Sequence, residues 1–147
     1  MKVVSTLRCF FIGHHDASES IYPQLVEAVR RHIEKYSVNE FVVGQYGSFD
    51  RMAARAVLAV KEDQPEVKLL ILLPYHPSER AIHAPEGYDG TIYPPGMETV
   101  PRRLAIVRAN RYMIDHSTYL ICYVRHPGNA RELMDYGNKK KREILQL

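Results

Sequence analysis

The sequence predicts one α/β domain with a Rossmann-like, three-layer sandwich architecture and a mainly parallel five-stranded sheet. Three observations carry that prediction. Strand-like and helix-like patterns alternate along the whole chain. The strand-like runs are apolar almost throughout, as in strands covered on both faces. Three of them are followed by glycine-bearing loops: Gly13-His14-His15-Asp16, Gly44-Gln45-Tyr46-Gly47-Ser48-Phe49-Asp50 and Pro127-Gly128-Asn129-Ala130.

The first strand is expected over Leu7 to Ile12, apolar apart from Arg8. A helix follows from about Ser20 to Lys35, with Leu25, Val26, Val29 and Ile33 on one stripe and Pro23 in its first turn. The second strand is Phe41 to Val43. Phe49, Met52, Ala53, Ala56, Val57 and Val60 then give the clearest helical period in the chain, with Ser48 as its expected N-cap. Pro65 ends that helix, and Val67 to Leu73 is the third strand. Pro74 to Glu98, rich in Pro, Gly, His and Tyr, has no sustained period and is expected to be a long loop of the functional or disordered kind. A helix is expected from about Thr99 to His116, with Leu104, Val107 and Met113 apolar. Tyr119 to Val124 is the fourth strand, Asn129 to about Lys141 the last helix, and Ile144-Leu145 a short fifth strand. With right-handed crossovers the expected strand order is 3-2-1-4-5, which puts the topological switch between the first and fourth strands.

At 147 residues the chain is long enough for one sizeable core, and 46% hydrophobic with 25% charged residues is ordinary globular composition. A net charge of +3 argues against nucleic acid as the main partner. Lys139-Lys140-Lys141-Arg142 is expected to be a solvated helix end set against the dipole. Arg8 interrupts the apolar stretch after Lys2 before it reaches the length of a secretory signal, and no run approaches a membrane span. Cys9 and Cys122 lie in predicted strands without metal-type spacing, and are expected to be buried free thiols in a cytoplasmic protein. No metal and no cofactor are expected.

In a parallel sheet all three glycine loops open on one edge, where helix N-termini offer free N–H groups to an anion. A nucleotide-sized phosphorylated ligand is therefore expected. Gly44 and Gly47 permit a tight turn and close backbone approach; the plain alternative is a strand-to-helix turn that binds nothing. Asp50 would accept from a ribose hydroxyl or simply charge the first helical turn. His14, at the centre of the presumed crevice, would bind phosphate or donate to a leaving group, or be a structural hydrogen-bonder; His126 faces the same edge, and His15 follows His14. Asn129 both caps helices and tolerates left-handed backbone. Tyr75, Tyr88 and Tyr93 would stack on a base, cover the sheet edge or form a dimer contact.

The segments Phe10-Phe11-Ile12-Gly13-His14 and Val43-Gly44-Gln45-Tyr46-Gly47-Ser48-Phe49-Asp50 resemble the SLOG superfamily (Smf/DprA and LOG-like proteins), above all its small stand-alone bacterial members. So do Thr91 to Arg103, Asn110-Arg111-Tyr112-Met113-Ile114-Asp115-His116-Ser117, and the strand at Ile121-Cys122-Tyr123 with the Gly128 that follows. The resemblance spans nearly the whole chain. It implies a Rossmann-like domain that binds nucleotides or their derivatives, some relatives hydrolysing the N-glycosidic bond of nucleoside monophosphates and others binding single-stranded DNA. The chain departs from the pattern at His15 and Ala109, where arginines are usual, and at Asn129, where a second glycine is usual.

By this resemblance the ligand-binding set is Gly13, His14, His15, Gly44, Gln45, Gly47, Ser48, Asp50, Arg108, Asn110, Arg111, His126, Gly128 and Asn129. Arg108 or Arg111 would compensate for the arginine missing at Ala109. Asp135 falls by counting where hydrolase relatives carry a catalytic glutamate, and Asp135 with His14 would be the catalytic pair; otherwise Asp135 is a solvated helix residue. A nucleotide-binding sensor is the leading expectation, an N-glycosidic hydrolase the second and a single-strand nucleic-acid binder the third. A homodimer is expected from the base rate for soluble oligomers and the family habit.

Overall fold

A computed structural model describes residues 6–147. Lys2 and the apolar residues just after it, which bear on the expectation for the N-terminal segment, lie outside the described residues. No helix among the described residues is long and apolar enough to cross a membrane.

The chain runs β1 (Arg8–Gly13), α1 (Tyr22–Tyr36), β2 (Glu40–Val43), α2 (Ser48–Lys61), β3 (Lys68–Leu72), β4 (Gly90–Ile92), α3 (Ala105–Asp115), β5 (Tyr119–Tyr123), α4 (Asn129–Lys139) and β6 (Glu143–Gln146). The strands form one all-parallel sheet in the order β4-β3-β2-β1-β5-β6. The expected inner order holds, with one edge strand added. β4 was hidden in the long loop because three residues, Gly90-Thr91-Ile92, are too few to display a period. It is fixed by its surroundings: the Leu73 N–H donates to the Ile92 carbonyl at 2.8 Å, and the Asp89 carboxylate accepts from the Leu69 N–H at 2.8 Å and from Lys61 at 3.2 Å.

Alternation along β1 divides the core between two layers. Cys9 and Phe11 pack with Leu25 and Val29 of α1 and Met52, Ala53, Ala56 and Val57 of α2. Phe10 and Ile12 pack on the other side with Ala109, Met113 and Ile114 of α3 and Leu120 and Cys122 of β5. Reversal of the winding direction at β1 places the two helix pairs on opposite faces. Both cysteines are free and buried, as expected, and their places in separate layers explain why adjacent strands do not bring the sulfurs into a bond.

Several boundaries differ from expectation. A 3-10 turn at Glu19–Ile21 precedes α1, so the helix proper begins at Tyr22 with Pro23 in its first turn. Ser48 is the first residue of α2, not its N-cap; Gly47 takes that place at φ 113°. Two 3-10 turns, at Met97–Thr99 and Arg102–Leu104, delay α3 until Ala105, and Leu104 is consequently 41% exposed. α4 stops at Lys139, with Lys141 in the left-handed region at φ 61°.

Candidate functional site

The first two glycine loops are clasped together at the C-terminal edge of the sheet. A Cβ at Gly13 would stand 2.3 Å from Cγ of Phe49, so the strand end can pass beneath that ring only without a side chain. Gly47 combines φ 113° with a Cβ position 2.6 Å from the His15 Cα. The clasp closes through the Ser48 N–H, which donates to the His15 carbonyl at 2.7 Å, and through the Ser48 hydroxyl, which donates to the Ala17 carbonyl. Gly47 and Ser48 thus hold the loops in register.

Beside the clasp lies a cavity of about 320 Å3. It sits at the switch between β1 and β5, where open α/β sheets bind ligands. The first loop contributes Gly13, His14 and His15, the second Gly44 and Asp50, and the third His126, Gly128 and Asn129, with Asn110 reaching in from α3. Apolar wall comes from Phe11, Ile12, Leu72, Ile106, Ala130 and Leu133. Ile106 and Tyr46, which also lines the cavity, are 40% and 37% exposed, an apolar rim open to solvent. Pro74 completes the wall. Tyr46, Pro74 and the apolar residues escaped the sequence analysis because no local signal distinguishes a rim side chain from an ordinary loop or core one.

Other expected site residues stand elsewhere. Gln45 turns to the long loop, its Oε1 accepting the His83 N–H at 2.7 Å. Arg108 is exposed; it follows Ile106 by two residues, which on a helix is nearly the opposite face. Arg111 is exposed, with its guanidinium 5.2 Å over the Tyr136 ring. Asp135, two residues beyond Leu133, is exposed for the same geometric reason and does not line the cavity. Among the described residues the cavity wall therefore contains no lysine and no arginine, and Asp50 is its one carboxylate.

His14 is 7% exposed, and its Nε2 accepts the Arg125 N–H at 2.8 Å. That bond assigns the ring proton to Nδ1 in the neutral form. The ring stacks on His126 at 3.7 Å and 9° and meets Tyr123 edge-on. Burial first, and the neighbouring His126 second, push the His14 pKa down. The cationic or proton-donating role expected of His14 thus runs against its surroundings: protonation at Nε2 would break the bond to Arg125.

Asp50 is the opposite case. Its Oδ2 accepts the Tyr46 N–H at 3.2 Å and packs over Gly44, where a Cβ would lie 2.6 Å from that oxygen. Burial outweighs the hydrogen bond and the Arg51 charge and raises the carboxyl to about 7. A group that titrates near neutrality at a cavity wall is suited to proton transfer or to donating a hydrogen bond while neutral. At the far side, Gly128 is the N-cap of α4, at φ 144°, with no side-chain cap and open space where a Cβ would be. Its first-turn N–H groups are oriented for an anion. Among the described residues, no group of three His, Cys, Asp or Glu is placed to hold a metal ion.

No family model and no curated protein sequence matches the chain. Its structure is similar to that of DNA processing protein A (DprA) from Streptococcus pneumoniae, with TM-score 0.69 and 14% identity over 96% of this chain. The chain spans 50% of the length of that DprA chain. It is also similar to the molybdenum cofactor binding protein from the phototrophic bacterium Rippkaea orientalis (TM-score 0.63, 10% identity, 98% of this chain and 77% of that one). The Moco carrier protein from Chlamydomonas reinhardtii gives TM-score 0.59 and 12% identity over 97% of this chain and 76% of that one. On this likeness, together with the sheet order and the crevice at its switch point, the chain shares the Rossmann-like fold of these proteins.

Proposed function

We propose that the protein binds a nucleotide or nucleotide-derived small molecule in the cavity at the β1/β5 switch and acts as a sensor of it. The observation that supports this most directly is the cavity itself. About 320 Å3 of space lies at the low end of small-ligand pockets, with an apolar middle for a heteroaromatic ring. The uncapped start of α4 lies on one side of it, and Asp50 with Tyr46 lines another. An N-glycosidic reaction would have to use Asp50, since Asp135 is outside the cavity.

A thermal-shift panel of AMP, ADP, ADP-ribose, NAD and cyclic dinucleotides tests the reading. A ligand at about a hundred times its Kd stabilises the folded state by roughly 2.7 kcal/mol. We expect a shift that disappears in Gly128→Val, which obstructs the α4 start. A flat panel with folded protein rejects the proposal. A second ligand is favoured by two of the similar structures, whose proteins bind the molybdenum cofactor. Mass spectrometry of protein purified from molybdate-fed cells tests that ligand directly. We also propose a homodimer in the cytoplasm. Light scattering after gel filtration tests the first and cell fractionation the second.

A further inference from the structure

Among the described residues the cavity wall holds no lysine or arginine, but Arg80 lies close to its Tyr46 side. Arg80, in the long loop between β3 and β4, lies with its guanidinium 4.2 Å over the Tyr75 ring. The same guanidinium is beside the Tyr46 hydroxyl and opposes the rise that burial imposes on that phenol. Tyr46 lines the cavity, and so does Pro74, the residue before Tyr75. Arg80 has no carboxylate partner among the described residues: neighbouring Glu79 is taken by Arg102 at 3.2 Å.

The loop around Arg80 is tied down at several points. Gln45 accepts the His83 N–H, and the Tyr75 hydroxyl donates to the Arg102 carbonyl at 3.3 Å. These ties fix a cation set against two aromatic side chains, without a carboxylate partner among the described residues, beside a wall whose lining holds no lysine or arginine. Guanidinium is weakly hydrated and forks onto phosphate oxygens in a bidentate manner, while tyrosine rings support it without neutralising it.

We propose that Arg80 is a specificity-determining residue that receives a second anionic group of the ligand on the Tyr46 side of the cavity, the first being met by the start of α4. This rests on the proposed function of the cavity and narrows its ligand class from nucleotides in general to those with at least two phosphates, terminal or bridging. Gln45, expected to contact the ligand itself, takes a positioning role through its bond to the Arg80 loop.

Isothermal titration of AMP and ADP against wild type, Arg80→Ala and Arg80→Lys tests it, with the ratio of the two affinities as the readout. Wild type should prefer ADP by about 10- to 100-fold, the weight of charge-assisted hydrogen bonds to phosphate. Arg80→Ala should bring the ratio near one, and Arg80→Lys should restore part of it. A ratio unchanged in Arg80→Ala overturns the role of Arg80 and leaves the cavity reading standing. Equal loss for both ligands also overturns it, because a merely structural loop residue would act that way. Failure of wild type to bind either ligand, with the protein folded, overturns the assignment of Arg80 to a diphosphate, while the thermal-shift panel separately decides the cavity reading.

Discussion

Asp50 offers the sharpest test of the site's electrostatics, through the change Asp50→Asn. Asparagine keeps an oxygen for the Tyr46 N–H and nearly the same shape over Gly44, while removing the ionisation. A carboxyl of the unfolded chain titrates at 3.8, and Asp50 in the folded protein at about 7. Below the lower value both states carry the proton. Between the two the folded state keeps it and the unfolded chain loses it, so stability falls as pH rises, and above about 7 the loss is complete. Each tenfold difference in proton affinity is about 1.4 kcal/mol, which makes the full cost roughly 4 kcal/mol. Partial exposure of the side chain reduces it to roughly 2–4 kcal/mol. Urea denaturation of wild type and Asp50→Asn from pH 4 to pH 8 measures the difference. The variant should be nearly as stable as wild type at pH 4 and more stable by that amount at pH 8. Parallel pH profiles would refute the argument that burial raises the carboxyl. A cost of this size, maintained at a cavity wall, is how a functional group is kept at a reactive pKa.

Further outcomes follow from the same geometry. Gly13→Ala forces a Cβ into the Phe49 ring and should lower stability by about 1–3 kcal/mol, read as a lower urea midpoint at unchanged slope. His14→Ala leaves the Arg125 N–H without its acceptor and should cost about 1–3 kcal/mol by the same measurement. Because the His14 pKa is lowered, the folded state favours the neutral ring; its stabilising share is complete above 6.5 and is lost as pH falls below that value. An NMR titration should place its midpoint under 6.5 and under that of an exposed histidine. Burial pushes the Cys122 thiol up to about 12 and Cys9 well above its ordinary value, so neither should react promptly with a thiol reagent until the protein is unfolded.

Much of the fold was legible along the chain. Phe49 to Val60 recurs at helical spacing because one face of α2 must meet the sheet, and Phe10, Phe11 and Ile12 run together because β1 is buried on both sides. The first two glycine loops were visible because a strand that turns into a helix beneath a neighbouring side chain has no room for a Cβ, and the third because Gly128 takes φ 144° before α4. What escaped was set by contacts between distant segments. β4 has no pattern of its own and exists because β3 presents an open edge to it. The angular positions that turn Arg108 and Asp135 away from the cavity depend on helix phase, which simple counting from a motif does not fix.

The sequence by itself determined that this protein is a parallel α/β sheet with ligand-type loops on one edge, since periodicity and turn chemistry are local properties. Only the tertiary structure decided what those loops can do. It spent Gln45, Gly47 and Ser48 on holding loops together, tied His14 Nε2 to a backbone N–H, and set the Arg80 guanidinium over Tyr75 and close to Tyr46. It also raised the Asp50 carboxyl to about 7. Charge state and reach depend on how much water is excluded and which distant side chain arrives, and neither quantity is written in any single stretch of residues.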